Sequence, residues 1–235
     1  MQLRPGEIAV WWMELSAPPA DVVARWRTCL DAAERAQAGR FHFEEDRSTY
    51  TAAHWLVRNA LAAVGGAPPA AWRFIIERRG KPRVDPAAGL PELRFNLSHT
   101  RNLVACVINL DSEVGIDVET LDRKPADLAI ANRFFSASEF ALLRDTPPDR
   151  QHDTFFRLWT LKEAFIKATG EGMSRGLDSF SFTLDPVSIS FRPQGTDEPT
   201  QWTFVEQRPT PGHLLAIAAR CPKPVKLLLH PVRQA

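Results

Sequence analysis

The order of secondary-structure signals along this 235-residue chain constrains its fold most, because the same order occurs twice. An apolar, aromatic-rich stretch at 8–15 predicts a buried strand, and two helical patterns and four short strands follow it up to residue 119. Two further helical patterns then end at Gly170, and three or four alternating strands close the chain. We therefore expect an α+β protein of two similar α/β halves, residues 1–110 and 111–235, although no residue-level repeat between them is evident.

The charge balance and the cysteines exclude several classes of protein. The 29 basic and 28 acidic side chains nearly cancel, which argues against a nucleic-acid-binding or membrane-surface protein. The apolar run near the start, residues 8–13, is too short for a membrane span or a signal peptide. Cys29, Cys106 and Cys221 are far apart and form no CxxC motif, so we expect no disulfide and a reduced, cytoplasmic protein.

Two carboxylates lie on one face of the predicted strand GIDVE at 115–119. Side chains alternate along a strand, so Asp117 and Glu119 share a face with Gly115, whose missing side chain leaves room for a ligand. Neighbouring carboxylates repel each other unless a cation neutralises them, and oxygen ligands of this kind suit Mg²⁺ with its waters and phosphates. The alternative for a single motif of this kind is an exposed acidic strand face.

A glutamate and a lysine lie one turn apart in the helical segment WTLKEAFIK at 159–167. Glu163 and Lys167 therefore share one face of the helix, while an apolar stripe lies on another. Alone, such a pair is typical of a solvent-exposed helix salt bridge. If its face meets the strand of Asp117, the pair completes a site for a magnesium diphosphate.

A serine and a histidine follow each other in the segment FNLSHT at 95–100, where a strand enters a tight turn. The Ser98 hydroxyl, the backbone amides and the His99 imidazole could together bind an anion. A nucleophilic serine is not expected, since no GxSxG turn surrounds Ser98. The alternative is ordinary turn chemistry with a hydrogen-bonded histidine.

These segments occur in an order that resembles a known family. FNLSHT, VGIDVE and the extended helix motif WTLKEAFIKATGEGM together resemble the 4′-phosphopantetheinyl transferases of the surfactin (Sfp) type. A GKP segment at 80–82 and an RFFS segment at 133–136 also match, so the resemblance covers nearly the whole chain. It implies transfer of the 4′-phosphopantetheine moiety of coenzyme A to a serine of an apo acyl or peptidyl carrier protein, with release of adenosine 3′,5′-bisphosphate. It also implies a pseudo-twofold arrangement of the two halves, with the active site in the cleft between them.

The catalytic roles of this family fall on matching positions of the chain. The resemblance implies that Asp117 and Glu163 ligate Mg²⁺, with Glu119 as a third ligand, and that the metal bridges the diphosphate of coenzyme A. Glu163 would take the proton of the carrier serine, and Lys167 would stabilise or protonate the leaving phosphate. Glu163, Lys167 and Asp117 form the expected catalytic set.

The residues expected to bind coenzyme A come from both halves. His99, with Ser98 beside it, matches the position that holds the 3′-phosphate, and Lys81 matches a position near the nucleotide. Lysines that the family often places before its second helix are replaced here by Glu34 and Gln37, so a neighbouring arginine is expected to substitute. The expected set is Lys81, Ser98, His99, Arg40, Arg47 and Lys162, with Arg35 as a third candidate arginine.

The resemblance also implies a docking surface for the carrier protein. The segment from Leu121 to Phe135, which contains Arg123, Lys124 and Arg133, offers basic and apolar side chains to an acidic partner. We expect a monomer that binds neither nucleic acid nor membrane. Two alternatives stay open: another magnesium-dependent diphosphate reaction, such as nucleotide hydrolysis, and a coenzyme A- or carrier-binding protein without transferase activity.

Overall fold

Two sheets and two long helices organise the computed structural model, which describes residues 1–77, 79–122, 128–192, 197–222 and 225–234. The helices are α1 (Ala20–Arg27), α2 (Ala32–Ala38), α3 (Glu44–Gly65), α4 (Leu128–Phe134), α5 (Ala137–Asp145) and α6 (Pro148–Thr169). The strands are β1 (Glu7–Glu14), β2 (Phe74–Ile76), β3 (Pro82–Val84), β4 (Arg94–Thr100), β5 (Leu103–Asn109), β6 (Val114–Thr120), β7 (Phe180–Leu184), β8 (Val187–Phe191), β9 (Thr203–Thr210), β10 (His213–Ala219) and β11 (Lys226–Val232). The predicted α+β class is confirmed.

The same local signals build the helices of both halves. The short helices α2 and α5 each begin with a capping box, in which the first side chain and the glutamate three residues later satisfy each other's backbone amides. The 22-residue helices α3 and α6 each end at a glycine in the left-handed conformation, Gly66 and Gly170. The sequence predicted the capping box of α5, from Ser136 to Glu139, and the structure confirms it.

The sheets repeat a common pattern and are then joined by the last strand. In the first sheet β1 pairs antiparallel with β5, which pairs with β4; in the second, β6 pairs antiparallel with β10, which pairs with β9. Strand β11 returns to the first sheet and runs parallel to β1, from Glu7 opposite Lys226 to Met13 opposite Val232. The second half of the chain therefore contributes a strand to the sheet of the first half, which the element order had not predicted.

The sheets lie face to face between the helices, in four layers. Strands β5, β6 and β10 are buried along their whole length, because one face meets a helix and the other meets the opposite sheet. In β1, for example, Ala9, Trp11 and Met13 belong to the core beneath α3, whereas Ile8 and Val10 belong to the core between the sheets. This layering fixes which side chains of each strand face a helix.

A row of side-chain hydrogen bonds joins the halves where β4 crosses β6. Three polar side chains at alternate positions of β4 each accept a hydrogen bond from a backbone amide of β6 twenty residues later. The pairs are Asn96 with Ile116, Ser98 with Val118 and Thr100 with Thr120. This joint places the polar face of β4 beside the two carboxylates of β6.

The structure bears on two expectations from the sequence, which concern disulfide bonds and membrane spans. All three cysteines are free thiols, as expected. Among the described residues, no helix combines the length and the apolarity needed to cross a bilayer.

Candidate active site

The carboxylates of β6 face helix α6 because the strand and the helix lie unusually close together. A Cβ atom added at Gly115 would lie 2.2 Å from the Ala164 carbonyl oxygen and 2.3 Å from the Ala168 amide nitrogen. Gly115 thus makes room for the helix, which corrects the expectation that it makes room for a ligand. Asp117 and Glu119, on the same face of the strand, are carried against the side of α6.

Side chains from the three sequence motifs meet at Asp117. The Lys167 ammonium group donates hydrogen bonds to Asp117 Oδ1 (2.7 Å) and to Ser98 Oγ (2.9 Å). The Ser98 hydroxyl in turn donates to Asp117 Oδ1 (3.0 Å). The FNLSHT, GIDVE and WTLKE segments, up to seventy residues apart in the chain, therefore form one polar cluster.

The cluster contains a buried carboxylate oxygen without a hydrogen-bond partner among the described residues and a second carboxylate whose pKa is raised. Asp117 Oδ2 is buried and has no hydrogen-bond partner in the described structure. Burial, and then the negative charge of Asp117, raise the pKa of Glu163, while Lys167 acts in the opposite direction. Glu119 is also buried, on the face it shares with Asp117. A cation at this point would relieve both the unpaired oxygen and the repulsion between carboxylates.

The carboxylates do not form a complete metal site by themselves. Within the described ranges, no group of three or more His, Cys, Asp or Glu side chains is arranged to hold a metal ion. Mg²⁺ commonly uses only one or two protein carboxylates and completes its octahedron with water and substrate phosphates. The unpartnered oxygen of Asp117 and the adjacent Glu163 fit that kind of site.

A cavity of about 240 Å³ opens beside the cluster, between α6 and the turn of the β2–β3 hairpin. Glu163 and Lys167 form one wall, Arg79 and Lys81 form another, and Asn96 contributes from β4. Larger cavities of about 440 and 640 Å³ lie elsewhere and are lined by none of the predicted site residues. The cavity of about 240 Å³ therefore combines space with the predicted chemistry.

Two residues expected to bind coenzyme A lie deeper than predicted. Lys162 is completely buried, and its ammonium group contacts Glu139 (2.7 Å) and the carbonyl oxygens of Leu177 and Phe180. Burial lowers its pKa, against the effect of Glu139. Lys162 is thus a structural residue of the C-terminal core, and its assignment as a ligand of coenzyme A was wrong. The stem of Lys81 lines the cavity, but its ammonium group points to Glu113 and to backbone carbonyls.

His99, Arg40 and Arg47 of the first half were also expected to bind coenzyme A, and the two arginines make local contacts. His99 is exposed, although desolvation by neighbouring atoms and the charge of Lys167 lower its pKa. Arg40 is exposed and contacts Gln37, while Arg47 forms an ion pair with Glu44. The binding of coenzyme A by His99, Arg40 and Arg47 stays a prediction.

Glu34 occupies one of the positions where the family often has lysines, and its own contacts explain the departure. Its carboxylate belongs to the capping box of α2 and accepts hydrogen bonds from the fully buried Arg58. It also contacts His54 at 2.8 Å. A lysine here would place two cations together in the core, so any substitute for the family's cation has to come from elsewhere.

The predicted docking segment is described only in part. Residues 123–127, with Arg123 and Lys124, lie outside the described residues. In α4, which follows, Leu128 and Ile130 are exposed, whereas Phe135 just after the helix is buried. Leu128 and Ile130 are therefore the large apolar side chains that α4 exposes.

Sequence reasoning also missed the residues that connect the motifs. Asn96 and Thr100 join β4 to β6, and Glu113 binds Lys81. The alternation of polar residues in Asn96, Ser98 and Thr100 was a usable signal, because it places three hydrogen-bonding side chains on one strand face. For Glu113 the sequence gave no comparable signal.

Comparisons with known proteins agree with this arrangement. The family model described as "4'-phosphopantetheinyl transferase superfamily" matches residues 113–218, and the model described as "4'-phosphopantetheinyl transferase, N-terminal" matches residues 17–110. The 4′-phosphopantetheinyl transferase HetI of Nostoc sp. is 35% identical over 219 residues, which is 93% of this chain and 90% of HetI. The 4′-phosphopantetheinyl transferase Sfp of Bacillus subtilis is 33% identical, with 84% of this chain and 85% of Sfp covered. A further 4′-phosphopantetheinyl transferase of Bacillus subtilis is 39% identical over 68% of this chain and 69% of its own length. The chain therefore belongs to the 4′-phosphopantetheinyl transferase superfamily, as an enzyme of the Sfp type.

Proposed function

We propose that this enzyme transfers the 4′-phosphopantetheine moiety of coenzyme A to a serine of an apo acyl or peptidyl carrier protein. The reaction is Mg²⁺-dependent and releases adenosine 3′,5′-bisphosphate. The observation that carries the proposal is the cluster of Asp117, Ser98 and Lys167, with Glu163 beside it, at the edge of a cavity. Such a cluster supplies a base, a cation and metal-binding oxygens at one point.

Asp117 and Glu163 would hold the metal, with Glu119 as a third ligand. When bound, Mg²⁺ supplies positive charge that offsets the charge developing on the diphosphate during attack. The unpartnered Asp117 Oδ2 and the raised pKa of Glu163 support this assignment.

The protein's own side chains then have distinct tasks. Glu163 takes the proton of the carrier serine. The serine oxygen forms a bond to the phosphorus next to the pantetheine arm, and the bond from that phosphorus to the bridging diphosphate oxygen breaks. The leaving adenosine bisphosphate keeps that electron pair, which Lys167 stabilises from its position beside Asp117. A lysine can also give up its proton there, whereas an arginine cannot.

The partner and the setting belong to the same proposal. The carrier protein docks along the segment from Leu121 to Phe135, where Leu128 and Ile130 offer exposed apolar contacts. We propose a monomer that binds neither nucleic acid nor membrane. The three free cysteines suit a reducing compartment, and we propose that this is the cytoplasm.

The test is the intact mass of an apo carrier protein after incubation with the enzyme, coenzyme A and Mg²⁺. We expect a gain of one phosphopantetheinyl group, absent with EDTA and absent for a carrier whose acceptor serine is replaced by alanine. No gain with acyl and peptidyl carriers, despite binding of coenzyme A, would support the binding-only alternative. Release of adenosine bisphosphate without any carrier would support a hydrolase instead.

A further inference from the structure

The ammonium group of Lys81 uses all of its hydrogen-bonding capacity inside the protein. Its nitrogen lies 2.7 Å from Glu113 Oε2, 2.7 Å from the Ala168 carbonyl oxygen and 3.2 Å from the Val114 carbonyl oxygen. An ammonium group has three protons, so each has an acceptor. The residue is only 9% exposed. No donor is left over for a phosphate group in the cavity.

The acceptors of Lys81 belong to the elements that carry the catalytic residues. Glu113 and Val114 stand at the start of β6, which leads to Asp117, and Ala168 lies in the last turn of α6, one residue after Lys167. A cation at this point also interacts favourably with the negative end of the helix dipole. Lys81 thus connects the hairpin of the first half to both catalytic elements of the second half.

Two further contacts hold the hairpin at the same place. The left-handed Gly170 that ends α6 packs against the stem of Lys81, since a Cβ atom there would lie 3.3 Å from Lys81 Cδ. Arg79, next to Gly80 in the turn, lies 3.7 Å from Glu171. The hairpin turn and the end of α6 therefore meet closely, and they enclose the cavity that contains Glu163 and Lys167.

We propose that Lys81 is a positioning residue of the transferase and not a ligand of the coenzyme A nucleotide. Its ammonium group holds the β2–β3 hairpin against β6 and α6 and so sets the width of the cavity. This inference rests on the proposed function. It departs from the expectation, drawn from the family resemblance, that Lys81 binds the nucleotide.

The two roles predict opposite effects for a change at Glu113. If Lys81 positions the hairpin, Lys81→Met and Glu113→Ala both raise the KM for coenzyme A. Loss of charged hydrogen bonds suggests a rise of about 10- to 100-fold for Lys81→Met and a smaller rise for Glu113→Ala. Glu113 also accepts a hydrogen bond from Arg83 of β3 (2.7 Å), so the double variant loses this contact as well. Its effect should still be smaller than the two single effects combined, because the contact of Lys81 with Glu113 is lost only once. If Lys81 binds a phosphate, Glu113→Ala frees the ammonium group and lowers the KM, which would overturn the proposal.

A matched control separates the connection from the general charge around Glu113. Arg94 lies 3.9 Å from Glu113 but belongs to β4. Arg94→Met should leave the KM for coenzyme A within about twofold of wild type. An effect of Arg94→Met as large as that of Lys81→Met would mean that charge near Glu113, and not the connection, determines binding.

Hydrogen exchange of the hairpin amides tests the same point without any transfer reaction. We expect faster exchange around residues 79–82 in Lys81→Met and in Glu113→Ala, and unchanged exchange in Arg94→Met. Unchanged exchange in all three variants would overturn the proposal even if the wild-type enzyme is active. If the wild-type enzyme shows no transferase activity but both variants exchange faster, the positioning role of Lys81 is retained and only the proposed function is rejected.

Discussion

The two long helices, α3 and α6, each contain one buried cation that pairs with a glutamate, and they differ in the residues that follow this cation. Arg58 in α3 and Lys162 in α6 occupy the same position counted from the helix start, and both are completely buried. Each pairs with the capping-box glutamate of the short helix before it, Glu34 or Glu139. Each also donates to backbone carbonyls at or just before the following hairpin. The halves therefore do share a residue-level repeat, which the sequence alone did not reveal.

The difference lies on the neighbouring face of the helix. The residue after Lys162 is Glu163, and Lys167 follows one turn later, whereas the corresponding residues in α3 are Asn59 and Ala63. The Asn59 side chain donates to a carbonyl of its own helix. The buried cation thus belongs to the architecture of both halves, whereas only the long helix of the second half carries a carboxylate and an ammonium group on the neighbouring face.

The largest effect is expected from changes on this neighbouring face. Glu163→Gln removes the proposed base and a metal ligand, so the rate of carrier modification should fall by about 10²- to 10⁴-fold. Asn59→Asp, the matched change in α3, should leave the rate within about twofold. Both are measured by the intact mass of the carrier over time, with circular dichroism as a check on folding. Near-wild-type rates for Glu163→Gln would remove this residue from the mechanism.

The next largest effect concerns the buried cations themselves. Lys162→Met leaves the buried Glu139 carboxylate with hydrogen bonds from Ser136 and Phe182 but without a cation, which should lower the free energy of unfolding by about 3–5 kcal/mol. Arg58→Met should cost less, because Glu34 keeps its contact with His54 and Asp31 is partly exposed. Urea unfolding of both variants measures the difference. A smaller loss of stability in Lys162→Met than in Arg58→Met would contradict this prediction. It would mean that the remaining contacts of Glu34 and Asp31 do not compensate for the loss of Arg58.

The smallest expected effect is the contribution of Glu34, the partner of Arg58 in the first half, to the pH dependence of protein stability. Burial acts to raise the pKa of Glu34, but hydrogen bonds from His54 and Arg58 outweigh it, and the pKa is lowered overall. The unfolded chain therefore binds this proton more readily, so stability is lost as the pH falls through the range below the ordinary glutamate pKa. Urea unfolding between pH 7 and pH 3 should show a weaker acid dependence for Glu34→Gln than for wild type. An identical pH dependence would mean that Glu34 is not held ionised by its partners.

Local signals predicted much of the fold and part of the candidate site. The capping box at Ser136 and the shared face of Glu163 and Lys167 follow from spacings of a few residues, and the structure has them as predicted. The order of the longer elements also agrees, but α2 as a separate helix, α4, β3 and β11 were not predicted. The partner of Lys162 could not be predicted, because a lysine between apolar residues of a helix has the same local pattern whether it is buried or exposed. The return of β11 to β1 depends on a pairing more than two hundred residues apart.

The sequence by itself determined that Asp117 and Glu119 share a strand face and that Glu163 and Lys167 share a helix face, because the period of each element sets both relations. The order of the motifs also determined the family, since their residue types recur at matching spacings. Only the tertiary structure decided that these faces meet. That meeting depends on the contact of Gly115 with α6 and on the hydrogen bonds of β4 to β6, which join residues far apart in the chain. The same long-range packing directs the ammonium groups of Lys81 and Lys162 into the protein, where paired carboxylates and backbone carbonyls replace the water lost on burial.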